Sequence, residues 1–354
     1  MNTNVILQQD VLEQGMDKLW NKLHGTEEHD DLNNWEWVQG VALYGVIKAY
    51  EETKQDRFGA FLKQWVADNA HQLRHGSVNW VAPANVLLNV YQETGDSKLL
   101  SQCREVADYS VHEALRTTNG GFAHVWGPGA GGLDDYRNQL WIDTLFMAGI
   151  YMLRFGLFDQ NRACIEEALQ QFDIHIACQF DQGSGLFSHG YHCLDKTPLG
   201  EHWGRGNGWA AVSIIELLSF MNGQPYPTAK YEEVFKQQME SVYILRMKDG
   251  LLRTLLDVEE SYLETSASAL FAYAALKGYR LGILEEKYRD WGKQITLEIL
   301  NNHLDEEGTV LRASGGTDCQ DTAGYLQVPY ASRQYSTGVV MMLFSETIAH
   351  HCKK

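Results

Sequence analysis

One aspartate stands at the start of an apolar stretch, Trp141-Ile-Asp143-Thr-Leu-Phe-Met-Ala148. An acid among apolar neighbours loses solvation, which disfavours its ionised form and raises its pKa. A carboxyl poised near neutrality is what general acid catalysis needs. The same residue equally suits a cap for a helix beginning at Thr144, its carboxylate satisfied by backbone amides. A second stretch, Trp203-Gly-Arg205-Gly-Asn-Gly-Trp209, sets an arginine among three glycines and between two indoles, just ahead of an apolar run. Helix N-terminal amides and a guanidinium together favour a carboxylate or a developing negative charge, and indole rings suit the flat faces of sugars. The alternative is an arginine that bonds the carbonyls of a neighbouring helix end.

Three histidines lie in glycine-rich loops: His124 in Gly120-Gly-Phe-Ala-His124-Val-Trp126, and His189 and His192 in Gly185-Leu-Phe-Ser-His189-Gly-Tyr-His192. Metal ligation favours histidines three or four apart on a helix or beside a partner acid, so hydrogen bonding to a ligand is the better reading. His192 reads equally well as an ordinary loop residue. No strand pattern precedes the Arg205 stretch, and neither phosphate-loop nor dinucleotide spacing is met. Neither a metal nor a cofactor is expected. Asn33-Asn-Trp35-Glu-Trp37 suits the rim of a site, whereas Glu27, Glu28, Asp30 and Asp31 read as solvated surface.

Apolar residues recur at helical spacing, and start and stop signals predict twelve helices. They fall near 5–23, 36–52, 57–70, 82–94, 98–117, 139–155, 160–178, 206–221, 230–246, 264–277, 285–302 and 334–348. Asp56, Asp96 and Asp159 sit at similar helix-to-helix corners and are expected to cap the helices that follow. Segments starting near 37, 82, 140, 208 and 265 are apolar almost all round. Those near 57, 98, 160, 230 and 285 carry charge on one side. A helix apolar on every face is buried and an amphipathic one covers a surface. This alternation predicts an all-α fold, an (α/α)6 barrel forming one domain over 1–354. The loops 119–138, 180–205 and 311–333 precede inner helices and are expected to gather at one end, where they build the site.

The chain has 354 residues and a net charge of −17, from 46 Asp and Glu against 29 Lys and Arg. With no basic stripe, nucleic acid is not an expected partner, and an anionic ligand needs a local cation. No apolar run is long enough for a membrane span. The six cysteines form no CxxC pair, so neither a zinc knuckle nor a disulfide framework is indicated. The N-terminus lacks the pattern of a signal peptide. A cytoplasmic protein is expected, of unassigned oligomeric state.

Gln139–Ala148, Ser188-His189-Gly190, His202–Trp209 and Glu264-Thr-Ser-Ala-Ser-Ala269 together resemble glycoside hydrolase family 105. These are the unsaturated rhamnogalacturonyl hydrolases, related to the unsaturated glucuronyl hydrolases of family 88. The resemblance implies an (α/α)6 barrel and a substrate bearing a 4,5-unsaturated uronic acid at the non-reducing end of a lyase-made disaccharide or short oligosaccharide. It implies hydration of the C4–C5 double bond, with Asp143 giving a proton to C4 and then helping water attack C5. It also implies substrate contacts from His124, His189, Trp203, Arg205 and Trp209, with Trp37 and Asn79 at the site. Asn79 stands where the family usually carries a second aspartate, and Ala331–Gly338 lacks an acid expected near its glycine. Two other readings stay open: a sugar isomerase or epimerase using histidines as acid and base, and a non-catalytic sugar-binding relative.

Overall fold

Six helices are buried over long unbroken runs, as their all-round apolar sequences require. The computed structural model describes residues 9–24, 32–127 and 132–352, so the acidic cluster at 27–31 lies outside the described residues. The helices are α1 (Gln9–His24), α2 (Trp37–Thr53), α3 (Asp56–Asn69), α4 (Ala84–Thr94), α5 (Ser97–His112) and α6 (a π-helical turn, Leu145–Gly149, continued by Ile150–Phe158). They continue with α7 (Arg162–Gln179), α8 (Gly204–Phe220), α9 (Ala229–Leu245), α10 (Thr265–Arg280), α11 (Glu286–Glu298) and α12 (Gln334–Cys352). In α8 every residue from Gly204 to Leu218 is buried, and in α10 every residue from Thr265 to Gly278. α5 instead buries Leu99, Cys103, Val106, Ala107 and Ser110, a single stripe at helical spacing.

The even-numbered helices form a closed inner ring, each touching the next, and the odd-numbered ones pack outside it. This is the expected (α/α)6 barrel. Its closing seam lies between α2 and α12, where two glycines let backbones meet. A Cβ on Gly45 would come 2.6 Å from the Gly338 Cα, a separation that no side chain movement could relieve.

Two expectations need correction. The stretch 139–155 is not one helix: Gln139–Trp141 is strand β1, and the helix begins only after a turn carrying Asp143. β1 pairs antiparallel with β4 (Gly190–His192), which pairs in turn with β5 (Thr197–Leu199); β2 (Phe180–Asp181) and β3 (Leu186–Phe187) form a separate hairpin. The partner of β1 lies some fifty residues along the chain, beyond the reach of any local periodicity. Of the three aspartates expected as caps, only Asp96 acts so, accepting from Lys98 N at 2.9 Å. Asp56 lies inside its helix after Gln55, and Asn161 rather than Asp159 caps α7.

The far end of the ring holds a buried charge cluster. Glu216 is sealed from solvent, with Lys48 at 3.2 Å, a tight bond from Lys277, and Tyr44 and Tyr273 donating to its carboxylate. Burial pushes this carboxyl up, but the two ammonium groups hold it far below the carboxylate range. Glu216 is eleven residues beyond Arg205 on α8, about 16 Å along the axis, so the cluster lies well away from the Arg205 end. Among the described residues, no helix is long and apolar enough to cross a membrane.

Candidate active site

Asp143 precedes α6, and its backbone carbonyl accepts from Phe146 N and Met147 N at 3.0 and 2.9 Å. Its side chain does not cap the helix. Oδ2 is sealed from solvent without a hydrogen-bond partner and lies 3.6 Å from His189 Nε2. The turn is held against β4 by Ile142 N donating to the His189 carbonyl at 3.0 Å. Strand pairing thus brings aspartate and histidine together.

Asp143 lines a cavity of about 130 Å³ at the loop end of the ring. Its walls include Trp37, Asn79, His124, Asp143, Trp203, Arg205 and Trp209, together with Trp141, Met147, Gly316, Thr317 and Asp318. Seven of the eight site residues expected from sequence therefore meet at one cavity, and His189 stands directly behind Asp143. His192 does not join them: it pairs with Asp195 at 2.7 Å, away from the cavity wall. Trp141, Asp318 and Thr317 were not singled out. Trp141 carried a usable signal, lying two residues before Asp143, whereas 316–318 was expected at the site only as part of the 311–333 loop, with no residue in it marked out.

Three buried polar atoms around this cavity lack protein partners, His124 Nδ1, Trp203 Nε1 and Arg205 Nε, while Asp143 Oδ2 and His189 Nε2 face each other at 3.6 Å. Buried polar groups are nearly always satisfied, so such a concentration marks a place for a polar ligand. The rings are packed into position. His124 stacks on Trp141 at 4.2 Å, His189 lies 4.2 Å from Trp203, and Trp209 packs on Phe146 at 4.6 Å.

Arg205 departs from a purely ligand-facing role. One terminal nitrogen bonds the Ser314 carbonyl at 3.2 Å, the Ser314 hydroxyl and Tyr335 Oη at 2.9 Å. The other bonds the Gly315 carbonyl at 2.6 Å and Thr317 Oγ1 at 3.1 Å. Arg205 therefore pins the 314–317 loop, leaving Nε as its uncommitted donor. The carbonyls it holds belong to this loop, not to the helix end weighed as an alternative.

The charge state of Asp143 also differs from expectation. Burial raises its pKa, but His189 and the Arg205 guanidinium more than offset this, and the carboxyl lies below its ordinary value. Burial pushes His124 down to about 4, so it is neutral near pH 7. The free site holds Asp143 as a carboxylate.

A second cavity of about 330 Å³ adjoins the first, sharing Asn79, His124, Trp141 and Asp318 and adding Glu36, Arg74, Trp80 and Tyr136. Arg74 lies over the Trp80 ring at 4.2 Å and pairs with Glu36 at 3.2 Å; Trp80 Nε1 donates to Glu36 at 2.7 Å.

The model of Glycosyl Hydrolase Family 88 matches residues 12–350. The chain belongs to this family. The family 88 chain is 33% identical to the unsaturated rhamnogalacturonyl hydrolase YesR of Bacillus subtilis over 321 residues, 89% of this chain and 90% of that one. It is 24% identical to an unsaturated 3S-rhamnoglycuronyl hydrolase of Formosa agariphila, covering 78% of this chain and 75% of the other. A crystal structure described as a possible GH105 member from Salmonella enterica superposes with a TM-score of 0.92 at 26% identity, covering 99% of this family 88 chain and 97% of that one. The resemblance drawn from the motifs and the barrel drawn from the helix pattern both hold, and the protein is a glycoside hydrolase.

Proposed function

We propose that this enzyme removes a 4,5-unsaturated uronic acid from the non-reducing end of lyase-generated disaccharides or short oligosaccharides, by hydration of the C4–C5 double bond. The observation that carries the reading is the uncapped Asp143 carboxyl, facing a polar cavity beside His189 instead of its own helix amides. Membership of the family, with rhamnogalacturonyl and rhamnoglycuronyl hydrolases among the similar proteins, supports the substrate class.

In this reading the unsaturated ring lies among Trp37, Trp203 and Trp209, with its carboxylate toward the Arg205 edge and the 316–317 loop. That bound anion adds a like charge near Asp143, which favours the protonated carboxyl. Asp143 passes its proton to C4, and the ring oxygen shares the positive charge left at C5. Water adds at C5 and returns a proton to Asp143. The resulting hemiketal opens by cleavage of the C5–O5 bond to a C5 ketone, leaving a hemiacetal at C1 that collapses to an aldehyde and releases the attached sugar as an alcohol.

That sugar occupies the second cavity. Glu36 and Asp318 against Arg74 leave one net negative charge there, since His124 is neutral. The balance favours a neutral sugar of the rhamnogalacturonan type over a sulfated one. An isomerase using His192 finds no support, because that residue is paired away from the cavity.

The test follows the ultraviolet absorbance of the conjugated enol across a panel of lyase products. Loss of absorbance is expected with wild type, and Asp143→Asn is expected to slow it by about 10²–10⁴-fold while leaving the helical circular dichroism intact. Steady absorbance across the panel with wild type would refute the reading.

A further inference from the structure

The imidazole behind Asp143 has a partner on its other side. His189 Nδ1 lies 2.7 Å from the hydroxyl of Tyr325, and both residues are buried. They are 136 positions apart in the chain. Tyr325 sits on a one-turn helix, Thr322–Gln327, whose Asp321 cap accepts from Gly324 N at 2.9 Å. Thr322 ties that turn to Glu201 at 2.8 Å. Gly200 makes room for the phenol: a Cβ there would overlap the hydroxyl, and its φ of +66° is itself a glycine conformation.

The direction of the hydrogen bond follows from what surrounds it. Burial pushes the phenol pKa up, so it keeps its hydrogen near neutral pH, and the other ring nitrogen, Nε2, lies 3.6 Å from the Asp143 carboxylate. A hydrogen on Nε2 suits that carboxylate, so Nδ1 is left to accept from the phenol. Which imidazole nitrogen carries the proton is set by the bond the other one makes. An Nδ1 that accepts leaves the hydrogen on Nε2, which faces Asp143 Oδ2 at 3.6 Å.

We propose that Tyr325 is a positioning residue for the active carboxyl: it donates to His189 Nδ1 and fixes the imidazole as the tautomer whose Nε2–H faces Asp143. The inference rests on the reading of Asp143 as the proton carrier. Its consequence is a division of labour within one carboxyl group. Oδ2 becomes the acceptor for the Nε2–H, and the proton that reaches the sugar is carried on Oδ1, the oxygen left to meet a ligand. A His189 of the opposite tautomer would present a lone pair to the carboxylate and lose this control.

The test has a readout independent of turnover. Long-range proton–nitrogen correlation spectra of protein labelled with 15N-histidine, with His189 assigned by loss of its signals in His189→Gln, report the tautomer directly. Wild type at neutral pH is expected to show the Nε2–H form at His189. Asp143→Asn is expected to keep it, because the phenol still donates to Nδ1. Tyr325→Phe is expected to lose it, with kcat falling about 10- to 100-fold, as when other orienting partners are removed, and KM changing less than about threefold. An Nδ1–H form in wild type, a switch of tautomer in Asp143→Asn, or full kcat with an unchanged His189 spectrum in Tyr325→Phe would each overturn the proposal. Should Tyr325→Phe fail to fold, the other two spectra decide the matter. If no panel substrate is consumed while the expected tautomer is seen, the hydrolase reading fails and the assignment of Tyr325 to His189 stands.

Discussion

Glu264 stands 3.6 Å from Arg205, and its side chain is completely shut off from solvent. The same carboxylate caps α10 by accepting from Ala267 N at 2.5 Å and binds the Ser314 amide at 2.7 Å. The cation of the site is thus balanced within the protein, and an anionic ligand meets it already paired. Glu264→Gln keeps the shape and an acceptor for the cap but leaves a buried guanidinium without its counter-charge. Removing one member of a buried pair typically costs about 3–5 kcal/mol. A loss of that order is expected in the urea unfolding free energy, and an unchanged midpoint would show the pair to be irrelevant to stability.

The lowered pKa of Asp143 has a kinetic consequence. In the free enzyme the acid form is scarce near neutrality, because His189 and Arg205 favour the carboxylate. The bound uronate adds a negative charge and reverses part of that effect. kcat/KM reports the free enzyme and kcat the complex. Both are expected to fall as pH rises, with the fall in kcat displaced to higher pH. Superimposable profiles would mean that the ligand does not retune the carboxyl.

His175 gives a pH dependence of stability. It is wholly buried on α7, its Nδ1 donating to the Gln171 carbonyl at 2.8 Å, and burial pushes its pKa down to about 4 from an ordinary 6.5. Between these values the unfolded chain binds a proton that the folded chain does not, so stability falls as pH drops through this window. The full effect is on the order of 3 kcal/mol, and His124 acts in the same direction. Melting temperatures measured from pH 7 to pH 4 are expected to decline less steeply in His175→Phe than in wild type.

Asp318 faces both cavities from an exposed loop. Asp318→Asn removes one of the two carboxylates confronting the departing sugar. The ratio of kcat/KM for a sulfated over an unsulfated lyase product is expected to rise by about 3- to 10-fold, the scale of one screened charge at a few ångströms. A ratio that does not move would place the sulfate elsewhere.

The barrel was legible because its cause is local. α8 and α10 are apolar on every face while α5 is apolar on one stripe, and that difference survives in the sequence. The site was legible only in part. Asp143, His189 and Arg205 stood out by their neighbours, yet the sign of the Asp143 shift was not readable there. Its apolar flanks are contiguous in sequence, whereas the opposing groups arrive from positions 189 and 205 through strand pairing and ring closure. Tyr325 and Asp318 were invisible for the same reason: the 311–333 loop acquires its meaning from contacts more than a hundred residues away.

The glycine seam between α2 and α12 joins the first inner helix to the last. During synthesis the ring therefore cannot shut until α12 has left the ribosome. Up to that moment the hydrophobic flanks of α2, which α12 will cover, face water, and such surfaces invite association between nascent chains. Closure of the ring waits on α12, which makes that late-emerging helix the gatekeeper of productive expression.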